Sequence, residues 1–450
     1  MDEKIMVAGA GKSGIAAAKM LLSTGREVLL YDSNDRLLAE QLKGNFAPDA
    51  RLSIRLGELN SRDLAGIDLC IISPGISLEA PFVSVLNKNQ VRIWSEIQLG
   101  YRFDKGTLAA ITGTNGKTTT TSLAGEIMKK KVPDTFVVGN IGLPYTQTSL
   151  QTTADSVTVL EVSSFQLETI TDFHPHVSAI LNITPDHMDR HHNMETYIRV
   201  KEDIARNQTA EDYCILNYMD PILREYGESG RCPAQVVFFS SGEEPEEGLF
   251  LRDGVFIYRK DGKEEKLLRT DELQILGTHN HENVMAAMAV GICMGVDLAL
   301  IAEACREFPG VEHRIEYVTE KNGVKYYNDS KGTNPDAAIK AILAMPGPIV
   351  LIGGGYDKKS TYDEWVELFP GRVKKLVLIG KTRDAIAKCA REHGFNEIVY
   401  AESLEEAVRL CAEAAEPGDD VLLSPACASW DMFKSYEERG RIFKDCVMNL

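Results

Sequence analysis

Seven consecutive residues, Gly113-Thr114-Asn115-Gly116-Lys117-Thr118-Thr119, carry the strongest chemical signal in the chain. They follow the apolar run Leu108–Thr112, which predicts a strand, and they open a stretch that predicts a helix, with the threonines at 118–121 in its first turns. In that context amides freed by glycine, together with a helix N-terminus, can cradle phosphate oxygens. Lys117 would reach the β- and γ-phosphates and the Thr118 hydroxyl would ligate Mg²⁺. Only two residues separate Gly113 from Gly116, fewer than in the usual phosphate-loop spacing. Strand, Gly-Lys-Thr and helix nevertheless coincide, and the loop reads as an ATP site.

A second glycine signal is Gly9-Ala10-Gly11-Lys12-Ser13-Gly14, with Asp32 at the end of the next predicted strand. Such glycines permit close approach to a pyrophosphate, and the acid can bind a ribose. A UDP-sugar satisfies this as well as NAD does. Glu161 leaves the strand of LEVSSFQLE, where a carboxylate beside a phosphate loop suits Mg²⁺, which prefers a few oxygens plus water. The run Pro185-Asp186-His187-Met188-Asp189-Arg190-His191-His192 places three histidines within six residues. Zinc is not expected there, because neither cysteines nor the two-histidine helical spacing with a glutamate base accompanies them.

Four further polar clusters sit at predicted element ends: His279-Asn280-His281-Glu282-Asn283, His313-Arg314, Tyr327-Asn328-Asp329-Ser330-Lys331-Gly332-Thr333-Asn334 and Ser424-Pro425-Ala426-Cys427-Ala428-Ser429. The last two follow strands, where ligands of open α/β sheets gather. Cys427 reads as structural, since its neighbours are small and no histidine is near. Two phosphate sites with several polar loops favour a multi-substrate enzyme over a binding module.

The elements that must position these residues alternate short β-branched runs with amphipathic stretches, which predicts an α/β protein with largely parallel sheets. Strands are expected at Ile5–Ala8, Val28–Tyr31, Leu69–Ser73, Leu108–Thr112, Val157–Val162, Val177–Asn182, Lys325–Asn328, Ile349–Ile352, Lys375–Ile379 and Val421–Ser424, with a helix from about Gly14. Between Gly242 and Lys266 the pattern LFLRDGVFIYRKDGK predicts a solvated hairpin, and Glu243–Glu247 a charged loop. The 450 residues fit three domains. Basic residues number 49 against 66 acidic, a net charge of −17. That balance disfavours nucleic acid and anionic membranes, so anionic ligands must be held by local groups. Nine cysteines without a C-x-x-C pair fit reduced thiols better than a disulfide framework. No signal peptide is recognisable at the N-terminus, and the longest apolar stretch, Val284 to Val296, is short of a bilayer span. These features predict a cytoplasmic protein.

Taken together, GTNGKTT at 113–119, GNIGLP at 139–144, EVSSFQLE at 161–168 and ILNITPDHMDRH at 180–191 resemble the Mur ligase family. So do GTHNHEN at 277–283, VEHRIE at 311–316, NDSKGTN at 328–334 and SPACASWDMF at 424–433, and the resemblance runs through essentially the whole chain. Within the family, NDSK at 328–331 and the final segment at 424–433 resemble the D-glutamate-adding member, and the DNPR-type motif of the diaminopimelate- or lysine-adding member is absent. The resemblance implies two Rossmann-like parallel-sheet units flanking a central P-loop-type ATPase domain: 1–97 for the UDP substrate, 98–309 for ATP and 310–450 for the amino acid. It implies an ATP-dependent ligase that adds D-glutamate to UDP-N-acetylmuramoyl-L-alanine through an acyl phosphate, in peptidoglycan precursor synthesis. A monomer is expected.

By motif, Gly113 through Thr119 would bind ATP phosphates, and Thr118, Glu161, His187 and a carbamylated Lys201 would hold Mg²⁺. Asn283 would meet the adenine, while Arg314 and Asp329 would contact ATP. Ser13, Asp32, Ser73, Gly75 and Asn140 would line the UDP-muramoyl pocket. Lys331, Thr333, Lys358, Ser429 and Tyr436 would surround D-glutamate, with Lys359 standing beside Lys358 where the family usually has glycine. Lys117, His187 and Lys201 would carry the chemistry, His187 being a candidate to deprotonate the incoming amine. An NAD-dependent oxidoreductase is the rival reading; it rests on the first glycine motif alone.

Overall fold

Successive β-branched runs form three separate sheets in the computed structural model, which describes residues 4–356 and 360–450. The first sheet is wholly parallel and ordered Leu52–Leu56, Glu27–Asp32, Lys4–Ala8, Ile67–Ile72, Arg92–Ser95. Chain direction of the strand order reverses between Lys4–Ala8 and Ile67–Ile72, so the carboxyl ends of these two strands open a crevice where doubly wound sheets take ligands. The helix Lys12–Ser23 begins two residues earlier than its apolar pattern predicts. Its buried face of Ala17, Ala18 and Leu21 packs on Val7, Val28 and Leu30.

The second sheet has nine strands. Thr107–Thr112 lies between Val157–Glu161 and Val177–Ile180, with Thr135–Gly139 at one edge. Beyond Val177–Ile180 come Tyr213–Asn217 and Gln235–Ser240, and then an antiparallel extension of Gly248–Arg252, Val255–Lys260 and Lys263–Arg269. This extension corrects the expectation of a solvated hairpin. It has a third strand and joins the sheet, and Leu249, Phe250, Phe256 and Ile257 are buried. The sequence misleads here because charged side chains cover apolar ones: Arg252 and Arg259 pair with Glu244 and Glu264 over the ring of Phe250.

The third sheet is ordered Glu316–Lys321, Val324–Asn328, Asp420–Leu423, Ile349–Gly353, Val373–Leu378, Ile398–Tyr400, parallel except for the first pair. Its core is fully buried on both faces, with Trp365, Phe369 and Ile386 on one side and Leu404, Val408 and Phe443 on the other. By internal contacts the chain forms two compact units. One comprises the residues up to Thr270 with Glu282–Cys305; the other comprises Asp271–His281 with Arg306–Leu450. Among the described residues no helix is long and apolar enough to cross a membrane. None of the nine cysteines is in a disulfide.

Candidate active site

In the first unit, strand Thr107–Thr112 runs into the loop Gly113–Gly116 and helix Lys117–Lys129. Gly116 caps that helix with φ +85°, and a Cβ there would stand 2.1 Å from Asn283 Oδ1. A side chain is excluded by both backbone and space. The loop is clamped from below: Thr114 N donates to Asn182 O at 2.9 Å and Asn115 N to Asn182 Oδ1 at 2.8 Å. Thr114 Oγ1 meets Thr184 O and Tyr197 OH, both at 3.1 Å. Lys117 folds back, its Nζ donating to Gly113 O and Thr114 O at 2.9 Å each. Thr118 and Thr119 are buried in the first helical turn.

Lys201 reaches the same loop from helix Met194–Glu202, with Nζ 2.8 Å from Gly113 O and 4.8 Å from the Tyr197 ring. Only 1% of it is exposed. Burial, followed by the charge of nearby Lys117, holds its amine well below the usual lysine range.

Glu161 ends strand Val157–Glu161 and is also buried. Gly139 passes so close that a Cβ would meet Glu161 O at 2.3 Å, which lets the following Asn140 bind this residue twice. Its amide donates to Glu161 O at 3.0 Å and its Nδ2 to Oε1 at 2.8 Å. Oε2 remains buried with no hydrogen-bond partner among the described residues. An orphaned carboxylate oxygen beside a phosphate loop is the donor that a hard divalent cation needs.

The three histidines of 187–192 separate. His191 is buried against Ser164 Oγ at 3.0 Å, and His192 is exposed beside Glu79 at 2.9 Å. His187 adopts φ +54°, stacks 4.8 Å from Phe165, and lines a cavity of about 260 Å³ with Gly75, Lys117, Asn140, Asp186 and Lys201. Arg190, unremarked in the sequence, ties the cavity's walls together. It donates to both Glu168 oxygens at 3.0 and 2.6 Å and to Pro74 O at 3.1 Å.

At the crevice of the first sheet, Ser13 lies in the first turn of helix Lys12–Ser23. A Cβ on Gly14 would stand 1.8 Å from Gly9 O, so the turn demands glycine. Asp32 accepts from Ala10 N and Asn34 N at 2.9 Å each and so braces the glycine loop itself. Ser73 Oγ is buried without a partner among the described residues.

In the second unit, Asp329 is buried after strand Val324–Asn328. It accepts from Ser424 Oγ at 2.7 Å and from Ile315 N at 3.3 Å, and burial pushes its carboxyl up to about 7. Arg314 lies between two left-handed residues, His313 at φ +66° and Ile315 at φ +46°, and its buried Nε has no partner among the described residues. Lys331 Nζ is 5.8 Å from the ring of Tyr436, the first residue of helix Tyr436–Met448. Thr333 is half-buried and Ser429 buried. Lys358 lies outside the described residues.

A second residue that sequence reasoning missed is Arg439, which is fully buried. Its Nε donates to Ser330 Oγ at 3.0 Å and its Nη2 to Ser330 O at 2.8 Å; Nη1 and Nη2 each donate to Cys427 O at 3.2 Å. One guanidinium thus joins the loop of Lys331 to the loop of Ser429. The only advance signal was an arginine three residues after Tyr436, on the same helical face.

Comparisons with known proteins cover nearly the whole chain. The profile of the Mur ligase MurD-like N-terminal domain matches residues 3–95, that of the Mur ligase middle domain 111–291, and that of the Mur ligase glutamate ligase domain 313–427. The UDP-N-acetylmuramoylalanine--D-glutamate ligase of Lachnoclostridium phytofermentans is 54% identical over 447 residues, 99% of this chain and 98% of the relative. The same enzyme of Lachnospira eligens is 50% identical over 450 residues, 100% of this chain and 99% of the relative. Among solved structures, the UDP-N-acetylmuramate-alanine ligase MurC of Thermotoga maritima superposes with a TM-score of 0.62 at 20% identity, covering 99% of both chains. MurF of Acinetobacter baumannii gives 0.64 at 16%, covering 99% of this chain and 93% of its own. At such identities these two likenesses bear on the fold alone.

Proposed function

The chain belongs to the Mur ligase family, and from that premise we infer that it joins D-glutamate to UDP-N-acetylmuramoyl-L-alanine at the expense of ATP, in cytoplasmic peptidoglycan precursor synthesis. The observation that carries this reading is identity of 54% over 99% of the chain to a ligase of that name. The NAD-dependent rival falls with it. We read 1–97, 98–309 and 310–450 as the UDP-substrate, ATP and amino-acid domains, and the protein as a monomer.

A carboxylate is a poor electrophile. The γ-phosphoryl group of ATP therefore passes to the alanyl carboxylate, and the amine of D-glutamate attacks the resulting acyl phosphate and expels phosphate. Lys117 exchanges the two loop carbonyls it now holds for phosphate oxygens and places its charge where negative charge builds. The amides of Gly113–Thr119 add fixed dipoles without reorganising. Thr118, Glu161, His187 and Lys201 would hold magnesium, and the fit is supported by the orphaned Glu161 oxygen. When bound, that ion neutralises charge on the transferring phosphoryl group. An imidazole that gives a cation its lone pair cannot take the amine's proton at the same nitrogen, so His187 is assigned to the metal.

Lys201 suits a further change. A neutral amine adds to carbon dioxide, forming an N–C bond and releasing one proton, and burial of Nζ favours the neutral form. The carbamate so formed would supply oxygen ligands where an ammonium would repel the cation. Arg314, Asp329 and Asn283 are read as ATP contacts, and Ser13, Asp32, Ser73, Gly75 and Asn140 as the UDP-muramoyl pocket. Lys331, Thr333, Lys358, Ser429 and Tyr436 are read as the amino-acid site.

The test is Lys117→Ala. ADP formation should fall at least about a hundredfold, while affinity for UDP-N-acetylmuramoyl-L-alanine by calorimetry stays near that of the parent. Equal loss of both would mean that the nucleotide and UDP sites are not separate.

A further inference from the structure

The short helix Met188–His191 follows His187 and cannot hold itself, because a single turn fixes more dihedrals than its hydrogen bonds reward. His187 caps it in the left-handed conformation, which is strained for a residue with a Cβ, so the surroundings must impose it. The amides of Arg190 and His191 both donate to His187 O at 3.0 Å. The setting of His187 therefore depends on where those two residues are anchored.

Arg190 is anchored from three sides. Its guanidinium forks onto both oxygens of Glu168, lies 4.2 Å from the centroid of the Phe165 ring, and donates to Pro74 O. The ring of Phe165 in turn lies 4.8 Å from that of His187. Both side chains of the Arg190–Glu168 pair are 12% exposed, so solvent screens it little. Phe165 and Glu168 share one segment, whose start is fixed by the capping box between Ser163 and Gln166. Pro74 belongs to the turn after Ile67–Ile72, where the crevice of the first sheet opens. Pro74, Phe165 and His187 all line the cavity of about 260 Å³, whereas Arg190 and Glu168 are not among its described lining residues. The arginine stands behind the wall that these three residues make.

We propose that Arg190 is a positioning residue that holds the UDP-substrate turn and the His187 imidazole in one fixed relation, so that crevice and cation site are ordered together. The proposal rests on the reading of that crevice as the UDP-substrate site and of His187 as a magnesium ligand. One planar fork meets three acceptor oxygens and a ring face at once, which the ammonium of a lysine cannot do.

Arg190→Lys is the test, in the full chain, with Glu168→Gln as a second way to loosen the same fork. Mn²⁺ replaces magnesium, with a non-hydrolysable ATP analogue and bicarbonate present, and its electron spin-echo spectrum reports the nitrogen of a coordinated imidazole. The parent should show this nitrogen modulation and His187→Gln should lack it. At a temperature where urea curves show them folded, both fork variants should give weakened modulation. Without metal, each should also bind UDP-N-acetylmuramoyl-L-alanine about tenfold more weakly by calorimetry. A folded Arg190→Lys that keeps either the parent's modulation or its substrate affinity would overturn the proposal. A parent without nitrogen modulation would remove His187 from the cation, and a parent that does not bind the UDP substrate would remove the crevice reading. Each of these would end the proposal through its premise rather than through Arg190.

Discussion

Two lysines converge on one oxygen: Lys117 and Lys201 reach Gly113 O at 2.9 and 2.8 Å. Two ammonium groups so placed would repel, and the buried Lys201 relieves this by favouring its neutral amine. That amine is the form which carbon dioxide captures, so the residue's burial and its proposed chemistry have one cause. Lys201→Ala should lower ligase activity by two to three orders of magnitude, about the loss that follows removal of one electrostatic element of a transition-state site. Added short-chain carboxylates should restore part of it by entering the vacated space. Full activity without any addition would remove the carbamate role. At this scale the sequence was informative wherever a motif has its own backbone requirement. Gly116 and Gly14 are glycines because a Cβ would strike Asn283 Oδ1 and Gly9 O. It was uninformative among His187, His191 and His192, whose burial and partners depend on residues remote in sequence, Phe165, Ser164 and Glu79.

Among elements, the strands that were legible are those buried on both faces, such as Val157–Glu161 and Ile349–Gly353. Those missed include half-exposed edges, Leu52–Leu56 and Glu316–Lys321, where the apolar pattern is diluted, and also the buried Tyr213–Asn217 inside the second sheet. The links between elements were not legible at all. Arg439 belongs to a helix with an ordinary pattern, yet it joins the loops of Ser330 and Cys427. Arg439→Ala leaves buried carbonyls without donors and should cost roughly 2–4 kcal/mol in denaturant unfolding. As a positioning residue it should also raise the KM for D-glutamate more than it lowers kcat, and Arg439→Lys should not restore either, because an ammonium lacks the planar fork. A KM equal to the parent's would confine Arg439 to stability.

Glu96, in the first turn of helix Glu96–Tyr101, gives the elements a pH signature. It is buried, Oε1 accepts from Gln166 Nε2 at 3.1 Å, Oε2 has no partner among the described residues, and burial pushes its carboxyl from 4.5 to about 7. Below pH 4.5 both folded and unfolded chains keep the proton and the group is neutral in its effect. As pH rises from there to about 7 only the unfolded chain releases it, so stability falls, by roughly 3 kcal/mol once both are ionised. Glu96→Gln should therefore raise the urea midpoint at pH 8 and match the parent near pH 4. An equal difference at both would contradict the buried acid.

For the whole molecule, composition limited the answer before any motif did. A net charge of −17 leaves anionic substrates to be held by local groups, for which the loop Gly113–Gly116, Lys117 and the crevice of the first sheet are proposed. Three sheets, each with polar residues at the carboxyl ends of its strands, suit an enzyme that gathers three substrates. The central claim is that one chain couples ATP cleavage to the joining of two others. It is tested most directly by ADP release from the purified protein with ATP, Mg²⁺, UDP-N-acetylmuramoyl-L-alanine and D-glutamate, each omitted in turn. Release should require all of them together. ADP release that persists without D-glutamate, or that another amino acid supports equally well, would contradict the assignment.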